Sequence, residues 1–335
     1  MPSENLFLDA LTDRGVLIDV SVRFWRAKKK LNPEDLGLSA AQVDARLFSL
    51  GHKRLLPKEA LQKLQLLEGR AHALVDENTF PFLGGIAHYL TNAKLQEVSA
   101  KLDSLKGEFE AARSEFMAGY ANQRRQALIE WRAAAEHLGV DPDLLVAKIA
   151  AAFPPVEGMG RYFGFGVNLF QVTTPELPRV DLVDLGTRQE LIEMRQRTAQ
   201  TAKAQIETSC RDFIADAVAT LREQTAKLAE EMLGTISDTG YVHQKTLNRL
   251  VKFIEHYKEL NFAGDGELTE QLDRVRQEFL SRTAEEYRDS KVAREHLVHG
   301  LEGLRQKARE LATQPATALV AQFGQLGQRK LDLAA

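Results

Sequence analysis

Proline placement constrains this chain more than any other feature. Proline removes a backbone donor and clashes with the preceding turn, so a long helix needs a proline-free run. Prolines stand at positions 2, 33, 57, 81, 142, 154, 155, 175, 178 and 315, which leaves two long open intervals, 82–141 and 179–314. In the first, Leu95, Val98, Leu102, Leu105, Phe109, Ala112 and Phe116 recur at spacings of three and four, a heptad seam. Ala127, Trp131 and Leu138 carry the apolar stripe onward less regularly. The spacing predicts one helix over 92–138, about 70 Å long at roughly 1.5 Å per residue. Gly107 and Gly119 weaken it by about 1 kcal/mol each relative to alanine.

The second interval has the same character. Ile206, Cys210, Phe213, Ile214, Val218, Leu221, Thr225, Leu228 and Met232 form a stripe that predicts a helix over 187–237. Thr187 and Glu190 read as its capping box. Leu247, Leu250, Ile254 and Tyr257 mark a shorter helix, the loop 262–267 ends it, and Leu268, Leu272, Val275 and Phe279 begin another. Leu297, Leu301, Leu304, Ala308 and Leu311 continue the pattern, and the tail from Thr313 onward reads as frayed. A stripe this long needs another long helix beside it. About 50 residues separate the two long helices, enough for a return path. The expected fold is therefore mainly α, an elongated antiparallel, coiled-coil-like bundle of long helices, with helix over more than about 65% of residues.

Two segments break the helical rule. In residues 15–25, Val16, Ile18, Val20, Val22 and Phe24 share one face, the pattern of a half-buried strand. Residues 158–172, GMGRYFGFGVNLFQV, place Phe163, Phe165, Val167 and Leu169 on one face and Gly164, Gly166 and Asn168 on the other. These are expected to pair antiparallel into a small two- or three-stranded β element, with Gly164 and Gly166 leaving room for close approach. Residues 180–185 are the candidate cover for its free edge. The glycines do not make a phosphate loop, because neither the Lys-Ser/Thr ending nor a following helix is present. Phe80–Gly85 reads as a turn with an apolar plug, in which Phe82, Gly84 and Gly85 are structural or docking candidates. The expected division is residues 1–91, basic, with a strand and short helices; 92–240, the long helix pair; and 241–335, the C-terminal helices.

Chemistry-bearing patterns are sparse. The one cysteine, Cys210, lies on an apolar stripe and reads as a buried thiol. His296 and His299 are spaced to share a metal but lack a third ligand in the pattern. No cofactor or metal is expected, and no enzyme. A net charge of −3 gives no overall pull toward nucleic acid. The one asymmetry lies in residues 23–70, with eleven Lys/Arg against five Asp/Glu. Within it, Arg26, Lys28, Lys29, Lys30, His52, Lys53 and Arg54 are candidate contacts to nucleic acid or an acidic partner. A solvated face, or a match to the acidic C-terminal helices, is the plainer reading. The first residues lack the basic and apolar regions of a signal peptide, and no apolar run approaches membrane-spanning length. With a single cysteine, a cytoplasmic setting is expected.

Several stretches together carry a resemblance: VSVRFWRAKKKLNPEDLGL, SLGHKRLLPKEAL, FPFLGG, FMAGYANQRRQALIEW and RYFGFGVNLFQV. In order and spacing they resemble a bacterial and mobile-element family, domain of unknown function 3150, over roughly residues 15–240. The resemblance implies work beside a MoxR-type AAA+ ATPase and a von Willebrand A protein. The chain carries no Walker motif and no Asp-x-Ser-x-Ser motif, so it would be neither of those. The expectation is a non-enzymatic scaffold or adaptor in a multiprotein assembly, possible homo-oligomers included. Nucleic-acid binding through residues 23–54 is the alternative.

Overall fold

A computed structural model describes residues 6–39, 43–44, 46–173 and 188–334. The described structure is 73% helical. In chain order it runs α1 (Leu6–Arg14), β1 (Gly15–Arg23), β2 (Lys28–Lys30), β3 (His52–Arg54), α2 (Gln62–Asn78), β4 (Phe80–Phe82) and β5 (Ala87–Thr91). Then follow α3 (Asn92–Leu138), α4 (Pro142–Ala152), α5 (Val156–Met159), β6 (Gly164–Phe170) and α6 (Arg188–Thr239). The chain closes with α7 (Gln244–Leu260), α8 (Gly266–Phe279), α9 (Ala284–Asp289), α10 (Lys291–Thr313) and α11 (Thr317–Ala334). Two compact units emerge, neither contiguous in sequence. One holds the chain up to Ile18, Asn78–Gln96 and Leu169 onward, and the other holds Asp19–Glu77 and Glu97–Asn168.

In the first unit, the α6 seam predicted from spacing is buried from Cys210 to Met232. The helix packed most extensively on it is α10, whose Leu297, Leu301, Leu304, Ala308 and Leu311 are buried in the same core. Proximity of α10 is reinforced by Arg222, whose Nη1 donates to the Leu311 carbonyl at 2.7 Å. An aromatic cluster of Phe80, Phe82, Tyr89, Phe213 and Phe262 closes the end of this core, with Phe213 and Phe262 stacked at 5.8 Å. The tail does not fray as its weak periodicity suggested. α11 packs on α1, Phe323 is fully buried, and Gly324 lies where a Cβ would meet the Phe7 ring at 2.7 Å.

In the second unit the α3 seam has its own apolar cover. Its seam residues Val98, Leu102, Leu105, Phe109, Ala112 and Phe116 are buried as predicted. Sheet and loop aromatics cover them: Phe109 meets Phe165 at 5.7 Å, and Phe116 meets Phe163 at 5.6 Å and Trp25 at 6.4 Å. Tyr120 extends this cluster to Phe153, and its hydroxyl donates to the Pro154 carbonyl at 2.7 Å. A heptad seam states that an apolar cover is required, and aromatic side chains from strands satisfy it as well as a second helix.

The sheet is larger than the two or three strands expected, with four strands in the order β4-β5-β1-β6. β5 pairs antiparallel with the start of β1, Gly15 opposite Thr91 and Ile18 opposite His88. β6 lies along the rest of β1, with Gly164 by Arg23, Gly166 by Ser21 and Asn168 by Asp19. Since one number rises as the other falls, the pair is antiparallel, as expected. Phe163 and Phe165 are buried, but Val167 is only partly so and Leu169 is 51% exposed, so the inward face ends earlier than the alternation implied. Nor do the two glycines admit a close backbone. A Cβ on Gly166 would have an ordinary 3.8 Å contact, and one on Gly164 would meet only the mobile end of Arg23, at 3.1 Å. Gly15 is crowded instead, since a Cβ there would overlap the Leu90 carbonyl oxygen and lie 2.6 Å from the Tyr89 ring. Phe80–Gly85 forms the short strand β4 and the turn into β5, and its apolar part, Phe80 and Phe82, is buried. Phe82 joins the aromatic core, while Gly84 and Gly85 take the positive φ values, 67° and 86°, that the turn requires. Thr187 and residues 180–185 lie outside the described residues.

A candidate anion-binding ribbon

The basic segment folds into a two-stranded ribbon. After β1, Ala27 takes a left-handed φ of 48°, a conformation costing an L-residue about 1–2 kcal/mol. Its carbonyl accepts from the Leu55 amide at 2.7 Å, which ties the end of β3 to the start of β2. The ladder then sets Lys28 opposite Arg54, Lys29 opposite Lys53, and Lys30 opposite His52. Directly opposed residues share a face, and faces alternate along a strand. Lys28, Arg54, Lys30 and His52 therefore project from one face, and Lys29 and Lys53 from the other.

Lys53 anchors the ribbon. Its ammonium pairs with Asp35 at 2.5 Å, and the two side chains are only 8% and 3% exposed. Asp35 sits in a 3-10 turn, Pro33–Leu36, and also accepts from the Asn32 amide at 2.9 Å. Burial pushes the Asp35 carboxyl up, but the Lys53 ammonium, the Asn32 amide and the Lys148 charge together hold it below the usual carboxylate value. Arg26 is likewise satisfied: it pairs with Glu68 and lies over the Phe24 ring at 4.0 Å. Of the seven sequence candidates, these two are structural.

The other five, Lys28, Lys29, Lys30, His52 and Arg54, are exposed. Among the described residues no carboxylate pairs with them, whereas neighbouring cations Arg46, Lys63 and Arg70 are matched to Asp44, Glu115 and Glu108. Like charges opposed across a ladder repel, so the anchor at Lys53–Asp35 holds together a surface that electrostatics alone would open.

Beside the ribbon lies a feature the sequence did not reveal. The Trp131 indole donates to the Arg54 carbonyl at 3.2 Å. It lines an open groove of about 290 Å³ with Leu55, Leu56, Pro57, Ala127 and Ala134, and with Arg54 and Glu130 as its polar members. In the sequence Trp131 read as a late member of the α3 stripe. The only signal that could have separated it was the loss of regular spacing after Phe116.

Of the remaining candidates, Cys210 is packed in the core and His296 makes a ring contact, while His299 is exposed. Cys210 is buried, and burial raises its thiol to about 12. The His296 ring meets Phe279 edge-on at 5.0 Å. Among the described residues no group of three or more His, Cys, Asp or Glu is arranged to hold a metal, and no helix is long and apolar enough to cross a membrane.

The family described as "Protein of unknown function (DUF3150)" matches residues 12–265. The chain belongs to that family. The match runs from the end of α1 through α7 to Asp265, and so includes the ribbon, both long helices and the loop before α8. No curated protein and no solved structure matches the chain.

Proposed function

We propose that this DUF3150 protein is a non-enzymatic scaffold or adaptor in a multiprotein assembly, and that it docks an anionic partner on the β2–β3 ribbon. The observation that carries the reading is the set of four exposed cations, Lys28, Lys29, Lys30 and Arg54, with His52 beside them, none paired with a carboxylate among the described residues, on a ribbon pinned by a buried ion pair. Such an array concentrates positive potential that salt bridges elsewhere on the same unit cancel. An elongated, coiled-coil-like arrangement of long helices belongs to this reading, and small-angle scattering tests it. The setting proposed is cytoplasmic, within a mobile-element system that includes a MoxR-type AAA+ ATPase and a von Willebrand A protein, as the family resemblance implies. The direct test mixes the purified chain with each of those proteins from the same system and follows complex formation by size-exclusion chromatography. Complexes lost on reversing Lys28, Lys30 and Arg54 to Glu support the reading. Turnover of a substrate that disappears with one polar substitution overturns it.

A second reading names nucleic acid as the anionic partner. It is favoured by the groove at Trp131, an aromatic element next to the cations that an acidic peptide does not need. Contacts to phosphates would be sequence-tolerant and steeply salt-dependent. Retention of wild type on immobilised DNA or RNA at low salt, abolished by the same charge reversal, is the expected result. No retention of either ends this second reading.

A further inference from the structure

Resting on the nucleic-acid reading, we propose that the ligand is single-stranded, with its phosphates along the ribbon and one unstacked base held against Trp131. The geometry supplies both halves of such a site. On the face that carries three cations and His52, Lys28 and Arg54 stand side by side, and Lys30 and His52 form the next pair, about 6.8 Å farther along. That is a track for successive backbone charges. The indole is attached to the same track through the Arg54 carbonyl, which places the aromatic surface beside the last cation.

The groove then sorts the ligand chemistry. Its floor of Leu55, Leu56, Pro57 and the two alanines is apolar, and about 290 Å³ lies just below the usual range for drug-sized ligands, room for one ring system. Glu130 on the groove repels a phosphate from the slot, which leaves it to an uncharged base. In a duplex every base is stacked and paired, so none can enter without being extruded. Single strands present free π-faces, and a cationic groove flanked by an aromatic is how sequence-tolerant binding to them is built. The aromatic comes from α3 and the cations from residues 28–54, which is why the two do not interleave in sequence.

The chain has two tryptophans, and the other, Trp25, is buried among Phe116, Tyr120 and Phe153. Ligand-dependent fluorescence therefore reports on Trp131. The experiment titrates the full chain at low salt with a labelled oligothymidylate of about 12 nucleotides, a length within single-strand site sizes. It follows anisotropy and tryptophan quenching together, with a mixed-sequence duplex of similar length and poly-glutamate as competitors. The expected result is binding with quenching, weaker binding of the duplex, and no competition by poly-glutamate. Trp131→Leu should weaken binding about tenfold, the scale of one lost stack, and Trp131→Phe should largely restore it. Ala134→Leu, which fills the groove while keeping the indole, should weaken binding as Trp131→Leu does, with melting unchanged. If single strand and duplex bind alike, without quenching, and only charge reversal weakens them, the base site is refuted while nucleic-acid binding stands. If neither nucleic acid binds, the base site and the nucleic-acid reading fall together. Competition by poly-glutamate at matched charge refutes the proposal in favour of an acidic protein partner.

Discussion

Replacing Arg222 by Met tests the core of the first unit at its most constrained point. Arg222 and Asp265 are 6% and 3% exposed at the side chain, and Nε meets Oδ2 at 2.7 Å. The guanidinium also satisfies the Leu311 carbonyl on α10, and Asp265 caps α8 by accepting from the Leu268 amide at 3.3 Å. One side chain thus joins α6, α10 and the loop that begins α8. Methionine keeps much of the volume but leaves the buried Asp265 carboxylate without its charge partner, while the Leu311 carbonyl keeps only the Gln314 amide, at 3.2 Å. Removing one partner of a buried pair costs about 3–5 kcal/mol. A domain of this size loses roughly 2–4 °C of Tm per kcal/mol, so calorimetry should show the unit melting roughly 6–20 °C lower. Changing both partners, Arg222→Met with Asp265→Leu, should recover much of the loss, because an apolar pair leaves nothing charged and buried. About 1 kcal/mol should remain for the lost cap. A single variant that melts within about 2 °C of wild type, or a double variant worse than the single one by several kcal/mol, would refute the reasoning.

Other expectations follow from the same geometry. Gly15→Ala forces a Cβ against Tyr89, whose hydroxyl is held by the Leu11 carbonyl at 2.8 Å, so chemical denaturation should report a loss of about 1–3 kcal/mol. Gly166→Ala, with ordinary contacts, should stay within about 0.5 kcal/mol of wild type. Because the Asp35 carboxyl is held below its unfolded value of 3.8, its pairing with Lys53 stabilises the ribbon above that pH and is lost as pH falls through the folded value. Amide exchange of residues 28–30 and 52–54 should accelerate below about pH 4, and Asp35→Asn should produce that acceleration already at neutral pH. Cys210, buried and raised to about 12, should resist alkylation in the native chain at neutral pH and react on unfolding.

The sequence made the long elements legible and left their partners open. α3 and α6 begin and end within a residue or two of the expected bounds, because proline-free runs and seam spacing are local signals. What covers a seam is not local: α6 takes α10, and α3 takes Phe163, Phe165 and Trp25. β1 and β6 showed alternation and were readable, whereas β4 is three residues with a central proline and β5 runs straight into α3, so neither offered a period. The site was half legible. Three consecutive lysines carry no strand pattern, so charge marked the segment but not the ladder that sets Lys28 against Arg54. Which cations are already neutralised, Arg26 and Lys53, depends on Glu68 and Asp35 reaching them in three dimensions. Trp131 joins Arg54 across 77 residues, a contact no spacing rule anticipates.

The salt dependence of binding tests the ribbon most directly. With Lys28, Lys30 and Arg54 each releasing a counterion, the slope of log Kobs against log salt for a single strand should be about −2, at roughly 0.7 per phosphate neutralised. Replacing those three residues by Gln should bring the slope near zero and abolish low-salt binding. A wild-type slope near zero, or a steep slope that the triple variant retains, would contradict the assignment of this ribbon as the anion-binding surface.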